Sequence, residues 1–271
     1  MHPNNMPYEA ARGIHRMGQL QDKVALIIGA STHGGIGEAT ALHYVREGAT
    51  VVLSARRLKE AQGVAAAVGA DAIACDITDE SQVEHLVRAV VTRQGRLEVL
   101  VIVAGGYANQ LVDQLTRETL LGTFEANVIG PAFAIKHAAR VMARGASIIY
   151  VSSATAQLNT PGVSAYGCTK AAGERLVEVA AFEYGTRGIR LNSLQPGLLE
   201  TPLSQALLQR PGVRRAYERE TPLGRLANVD DVAAAAVWLA SDGCHTTGDR
   251  IRVAGGVHLR RHPLPEDFHG D

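Results

Sequence analysis

The chain has 271 residues, 46% hydrophobic and 20% charged, enough to bury a large core in one α/β domain without a second one. Lys plus Arg and Asp plus Glu number 27 each, and this zero net charge excludes a general electrostatic pull toward nucleic acid or an anionic membrane surface. No apolar run reaches the length of a membrane span, and MHPNNMPYEAARGIHRMGQ lacks the apolar core of a signal peptide, so a cytoplasmic protein is expected. The first element is the apolar run KVALIIG, a strand of buried type. It runs into GASTHGGIGEATALHYVREG, a glycine-rich turn followed by a helix with apolar positions at 36, 39, 42 and 45. Strand, glycines and helix together suit a pyrophosphate. Gly29 would make the tight turn, Gly35 would allow close approach, Gly37 would let the helix pack on the sheet, and the helix N-terminus would face the phosphates. ATVVLSARR and AIACDITDE supply the next two strands, the latter ending near Asp76, which is expected to order its own turn. Strands are expected at 23–28, 50–54, 70–74, 98–103, 146–151, 189–194 and 249–253, alternating with helices. That alternation predicts an α/β, Rossmann-type, doubly wound parallel sheet of about seven strands.

Two side chains further along carry chemistry. Tyr166 and Lys170 stand one helical turn apart in SAYGCTK, on a helix expected over Ser164 to Tyr184, with Ser153 thirteen residues upstream at the end of a strand. Positions i and i+4 share a helix face, so a phenol and an ammonium can point into one small volume. A cation beside a phenol favours the phenolate, and the pair suits proton exchange with an alcohol oxygen. Cys75, Cys168 and Cys244 lack CxxC spacing, and the ten histidines show no HExxH, so packed thiols and no metal site are expected.

From about Lys23 to Gly256 the chain resembles the classical short-chain dehydrogenase/reductases. The resemblance rests on an ordered series: Gly29, Gly35 and Gly37; Cys75-Asp76-Ile77; Ala104-Gly105; Asn127 in FEANVIG; Ser153; Tyr166 with Lys170; and LNSLQPGLLETPL with Pro196-Gly197. RLANVDDVAAAAVWLASD and TGDRIRVAGG complete it. It implies Tyr166 as general acid/base and Ser153 as hydrogen-bond partner of the substrate oxygen. Lys170 would lower the tyrosine pKa and hold the nicotinamide ribose, and Asn127 would keep a water in a proton relay. Ile36, Ile77, Pro196, Gly197 and Thr201 join the residues expected around the dinucleotide, with Asp76 at the adenine. Residues 21–257 then form the domain, with a lid at about 198–224, and 1–20 and 258–271 are tails.

The chain departs from the family pattern in two places. Gly29 to Gly35 spans two residues more than usual, Thr32 and His33 being the surplus, and Ile102-Val103 replaces two amide side chains before Ala104-Gly105. The longer loop is similar to that of enoyl reductases in the same superfamily, but their tyrosine stands seven positions before the lysine, where this chain has Val163. Reduction of a carbonyl is therefore preferred, with carbon–carbon double-bond reduction and a non-catalytic dinucleotide-binding regulator as alternatives. At the exit of the second strand, where an NAD enzyme places a carboxylate, stand Ala55, Arg56 and Arg57, which predicts NADP(H) over NAD(H). Arg56 would hold the 2′-phosphate, with Ser54, Ser31 or His33 adding hydrogen bonds. Leu198, Leu199, Leu203, Leu207 and Leu208 give the lid an apolar face suited to an apolar, cyclic or aromatic substrate, and Tyr107 and Gln157 are candidate wall residues. Small apolar positions in VEVAAFEY and AFAIKHAARVMA suggest a homotetramer or homodimer.

Overall fold

The computed structural model describes residues 18–269. Seven strands, β1 (Val24–Ile28), β2 (Thr50–Ala55), β3 (Asp71–Ala74), β4 (Val99–Ile102), β5 (Ser147–Val151), β6 (Arg190–Pro196) and β7 (Arg250–Val253), form one sheet in the order β3-β2-β1-β4-β5-β6-β7. Every pairing is parallel. Each expected strand is present, within about two residues at either end, because a strand covered on both faces must be apolar throughout. Val24–Ile28, Val99–Ile102 and Ser147–Val151 are buried along their whole length. Strand order reverses between β1 and β4, and ligands of open α/β sheets bind beyond the carboxyl ends at such a switch.

Helices α1 (Ile36–Arg46), α2 (Leu58–Val68), α3 (Glu80–Gln94), α4 (Arg117–Phe124), α5 (Gly130–Val141) and α6 (Ser164–Gly185) alternate with the strands. The deepest stripe of α1 is Gly37, Ala41 and Tyr44, while the expected core positions Ile36, Leu42 and Val45 are only half-buried. Tyr44 takes that place because its hydroxyl donates to the Ala236 carbonyl at 3.0 Å on the last helix, α9 (Val229–Ala240). Between α4 and α5 the residues Glu125–Ile129 make a π turn, so the regular helical bonding is interrupted where Asn127 sits.

Two short helices, α7 (Gln205–Leu208) and α8 (Val213–Glu220), lie in the segment expected as a lid. The leucines there do not form the expected common face. Leu199 is buried in the main core, and Leu198, Leu207 and Leu208 pack with Val213, Tyr217 and Phe268. The C-terminal segment is an integral part of this unit and not a loose tail. Arg261 forks onto Asp267 at 2.5 and 2.9 Å, His262 is buried edge-on to Tyr217, and Phe268 joins the α8 cluster. The N-terminal tail expected over 1–20 lies mostly outside the described residues. Cys75 and Cys244 are packed thiols, but Cys168 is exposed, because it lies on the outer side of α6 two residues from each of Tyr166 and Lys170.

Candidate active site

Beyond the strand ends lies a cavity of about 570 Å³, within the size range of a cofactor or small-molecule site. Gly29, Ser31, Gly35, Ile36, Gly37, Arg56, Asp76, Ile77, Ala104, Gly105, Tyr166, Lys170 and Thr201 all line it. Gly29 has φ 103°, and a Cβ there would collide with the Ala104 backbone, so this turn requires glycine. At Gly37 a Cβ would lie 2.9 Å from the Ala30 Cα, which lets α1 start tight against the loop. Gly35 is the N-cap of α1 and no side chain caps that end, which leaves the N–H groups of the first turn at the cavity wall, an arrangement that suits an anionic group.

The lengthened part of the loop is a turn closed by the Gly35 N–H on the Thr32 carbonyl at 3.2 Å, with Gly34 at φ 71°. His33 stands on its outside. Its side chain is 66% exposed and its Nδ1 is 2.7 Å from a Glu38 carboxylate oxygen, while the other oxygen accepts from the Gly34 N–H at 2.6 Å. The expectation that His33 faces the cofactor therefore fails, because Glu38, one turn into α1, draws the ring outward. Ser54, the other proposed helper, is fully buried and does not line the cavity. Arg57 takes part instead, with its guanidinium 3.3 Å from the Ser31 hydroxyl. Among the described residues no hydrogen bond or ion pair engages Arg56. Asp76 orders its turn as expected, accepting from the Thr78 N–H at 3.0 Å and hydroxyl at 2.8 Å, but the N-cap of α3 is Asp79.

The second half of the cavity is built on α6. Lys170 is buried and donates to the Val151 carbonyl at 2.8 Å. Its ammonium lies 5.7 Å from the Tyr166 ring centre and 4.9 Å from that of Tyr150. Burial depresses Lys170 from the ordinary lysine value to about 8, with the Glu174 carboxylate acting in the opposite direction. Burial also holds the Tyr166 phenol above its ordinary value, and the neighbouring Ser153 hydroxyl, which favours the phenolate, offsets part of the rise. The lowering expected from Lys170 does not figure among the influences on Tyr166, where desolvation dominates and the Tyr107 hydroxyl adds to the rise. Ser153 follows β5 and accepts from the Thr155 N–H at 3.2 Å and hydroxyl at 2.9 Å.

Asn127 is buried behind this pair and does not line the cavity. Its amide accepts from the Gly106 N–H at 3.0 Å and donates to the Gly106 carbonyl at 2.8 Å and the Thr169 hydroxyl at 2.9 Å. It therefore anchors the loop after β4 that lacks its usual amide pair. Its backbone carbonyl accepts from the Tyr150 hydroxyl at 3.0 Å. Pro196 and Gly197 lie at the end of β6 outside the cavity wall, Gly197 pressed against Ala254. Tyr107 does line the cavity, edge-on to Tyr166 at 5.2 Å, and of the lid leucines only Leu203 does. Gln157 turns away to accept from Arg252 at 3.0 Å. Glu38 and Tyr150 escaped the sequence reading of this site, and Arg57 entered it only as part of the exit of β2, with no contact assigned to it.

The family model described as enoyl-(acyl carrier protein) reductase matches residues 29–258. The chain is 33% identical to the 3-oxoacyl-[acyl-carrier-protein] reductase of Thermotoga maritima, over 88% of its own length and 99% of that protein's. The chain belongs to the classical short-chain dehydrogenase/reductase family. It is an oxidoreductase of that family, whose members use nicotinamide dinucleotides. L-rhamnose 1-dehydrogenase (NAD(P)(+)) of Azotobacter vinelandii is 36% identical over 89% of this chain and 98% of its own. A solved short-chain dehydrogenase/reductase from Mycobacterium ulcerans superposes with a TM-score of 0.86 at 35% identity, covering 90% of this chain and 92% of its own. The residues present fit such a cofactor, since the glycine cradle, the α1 N-terminus and Lys170 open into one cavity. Among the described residues no helix is long and apolar enough to cross a membrane, and no cluster of His, Cys, Asp and Glu could hold a metal ion.

Proposed function

We propose that the protein is an NADP(H)-dependent dehydrogenase/reductase that interconverts a ketone and a secondary alcohol. The observation that carries this reading is Tyr166 and Lys170 opening into one cavity, with the Ser153 hydroxyl beside the phenol. When bound, the nicotinamide supplies or accepts hydride. As charge builds on the carbonyl oxygen, Ser153 donates a hydrogen bond to it and Tyr166 delivers the proton. A phenol raised by burial suits an acid in reduction, since it stays protonated at neutral pH. Lys170 holds positive charge beneath Tyr166, and binds the ribose. The equivalent of the enoyl-type tyrosine position is Val163, a buried aliphatic residue that can donate no proton, which supports carbonyl over double-bond reduction.

NADP(H) preference is supported by Arg56 and Arg57 lining the cavity at the exit of β2, where Ala55 stands in place of a carboxylate. Asp76, Ile77 and Thr201 complete the assigned cofactor wall, with Pro196 and Gly197 supporting it from the end of β6. An apolar, cyclic or aromatic substrate suits the wall that Tyr107, Ala126, Pro202 and Leu203 form. Self-association as a homodimer or homotetramer is supported by Leu121, Phe124, Ile129 and Phe182, the last 88% exposed, on helices that carry Asn127 and Tyr166. The alanines in these helices do not serve it, because Ala134, Ala138, Ala180 and Ala181 are buried in the core. Three unpaired thiols suit the reducing cytoplasm.

The test is a panel of ketones, secondary alcohols and 2-enoyl thioesters, followed by nicotinamide absorbance with both cofactors. Carbonyl or alcohol turnover that Tyr166→Phe lowers by about 10² to 10⁴-fold, with cofactor binding retained, is the expected result. Turnover of the enoyl thioester alone, or undiminished turnover by Tyr166→Phe, would overturn it.

A further inference from the structure

We propose that Tyr150 is the positioning residue for Lys170: its ring seats the ammonium, and its hydroxyl ties that seat to the π turn carrying Asn127. Tyr150 lies in the middle of the sheet, on β5 between Ile102 and Ser193, and is fully buried. A phenol is an expensive side chain to bury there unless its hydroxyl finds an acceptor, and the Asn127 carbonyl at 3.0 Å is that acceptor. That carbonyl belongs to the π turn of Glu125–Ile129, where the regular helical bonding is interrupted.

The ring does a second thing. Lys170 has one hydrogen bond to protein, to the Val151 carbonyl next to Tyr150 in β5, and its charged nitrogen sits 4.9 Å from the centre of the Tyr150 ring. A buried ammonium with one carbonyl partner is held further by the negative face of an aromatic ring. The other titratable groups around it are Tyr166 one turn back and Glu174 one turn on, both on α6. Glu174 is itself engaged by Ser152 at 2.5 Å, Gln195 at 2.8 Å and Arg250 at 3.2 Å, so it is not free to turn toward the lysine.

Sequence position 173 makes the arrangement possible. A Cβ on Gly173 would lie 2.5 Å from the Tyr150 hydroxyl and 2.7 Å from the ring carbon bearing it. Glycine one turn beyond Thr169 on α6 thus leaves the space that the phenol fills. Tyr150, Gly173, Asn127 and Lys170 form one matched set, in which a strand side chain links the two helices that carry the catalytic groups.

The proposal rests on the reading of Lys170 as a catalytic lysine, but its test does not need turnover. With ¹³C-labelled lysine, the Lys170 side-chain carbon is titrated by NMR in the cofactor-free protein, where Lys23, Lys59 and Lys136 are the other signals. Tyr150→Phe keeps the ring and should leave the titration midpoint in place. Tyr150→Leu, or Tyr150→Met if the leucine variant does not fold, removes the ring and should lower the midpoint by about 0.5 to 1.5 pH units. Amide hydrogen exchange across residues 125–129 should rise about tenfold or more in Tyr150→Phe. Where carbonyl turnover is found, the pH dependence of kcat should move with the NMR midpoint. A midpoint unchanged in both ring-deleted variants, or one displaced equally by Tyr150→Phe, would overturn the seat. Unchanged exchange in Tyr150→Phe would overturn the tie to Asn127. Absence of turnover on every carbonyl would sink the proposed function and leave these two readouts standing.

Discussion

Replacing Lys170 with methionine is expected to yield a protein that is inactive and more stable. Burial lowers the Lys170 pKa from 10.5 to about 8 in the folded protein, with the Glu174 carboxylate opposing the change. A lysine shifted downward by folding destabilises the native state whenever it is charged there. Between pH 8 and 10.5 the unfolded chain holds a proton that the folded chain has released, so wild-type stability rises with pH across that window. Below about 8 both states are protonated and the penalty is constant. At about 1.36 kcal/mol per pH unit, a difference of 2.5 units amounts to about 3 kcal/mol. Methionine keeps the unbranched stem and removes the charge, but it gives up the 2.8 Å bond to the Val151 carbonyl, a loss of about 1 kcal/mol. The net gain at pH 7 is then about 2 kcal/mol, or about 4 to 8 °C in Tm for a chain of this size. At pH 10 less than about 1 kcal/mol of the original penalty remains, and the two proteins should melt together. Calorimetry at pH 7 and 10, at one protein concentration, decides the matter. A variant less stable than wild type at pH 7, or a difference that persists unchanged at pH 10, would refute the idea that Lys170 is held charged against its desolvation.

Ala55→Asp combined with Arg56→Ala should reverse cofactor preference by roughly ten- to hundredfold in kcat/KM, each charge-assisted bond being worth about 1.5 to 3 kcal/mol; a wild type that already favours NADH would end that assignment. Gly37→Ala brings a methyl to 2.9 Å from the Ala30 Cα and the Gly29 carbonyl, and should cost about 1 to 3 kcal/mol in urea unfolding as well as weakening cofactor binding. Light scattering at micromolar concentration should give a dimer or tetramer, and a single species of 28.7 kDa would exclude self-association. Phe182→Glu, on an exposed apolar position, should then dissociate the assembly without unfolding the chain.

The sheet was legible because its information is local. Buried parallel strands are short continuous apolar runs, and each is followed within three positions by a glycine or polar residue in the next connection. The C-terminal segment was not legible for the opposite reason. RRHPLPEDFHGD has no period of its own, and the placement of residues 260–268 depends on partners elsewhere in the chain: Arg261 meets Glu220 of α8 at 3.4 Å besides its local partner Asp267. Phe268 completes a cluster whose other members are on α8 and the lid. The lid leucines were misread by the same route, since a leucine-rich segment near a crevice can line it or pack behind it, and four of the five pack behind. Composition does not distinguish these outcomes; only the position of α8 and Phe268 does.

In the site, the expected groups that meet in one cavity are those whose relation is set by one element. Tyr166 and Lys170 reach the same cavity because α6 is regular between them, and Gly29, Gly35 and Gly37 do so because a turn and a helix start leave little freedom. The misplaced group was His33, which a carboxylate five residues on turns outward, a local pair that the His-to-Glu38 spacing would have allowed. The missed group was Tyr150. Its position in IIYVSS reads as another buried strand residue, and nothing within the strand distinguishes a packed phenol from one beneath a charge. What distinguishes it is Gly173, one turn beyond Thr169 in a different segment, where a helix gives up its side chain against the strand. A large polar-tipped residue in a buried strand, paired with a glycine inside the facing catalytic helix, is a joint signal that neither segment carries alone. The cost of that helical glycine, about 1 kcal/mol relative to alanine, is offset only if the phenol that fills its space contributes at least as much. The Asn127 carbonyl and the Lys170 ammonium are the two contacts through which it can do so.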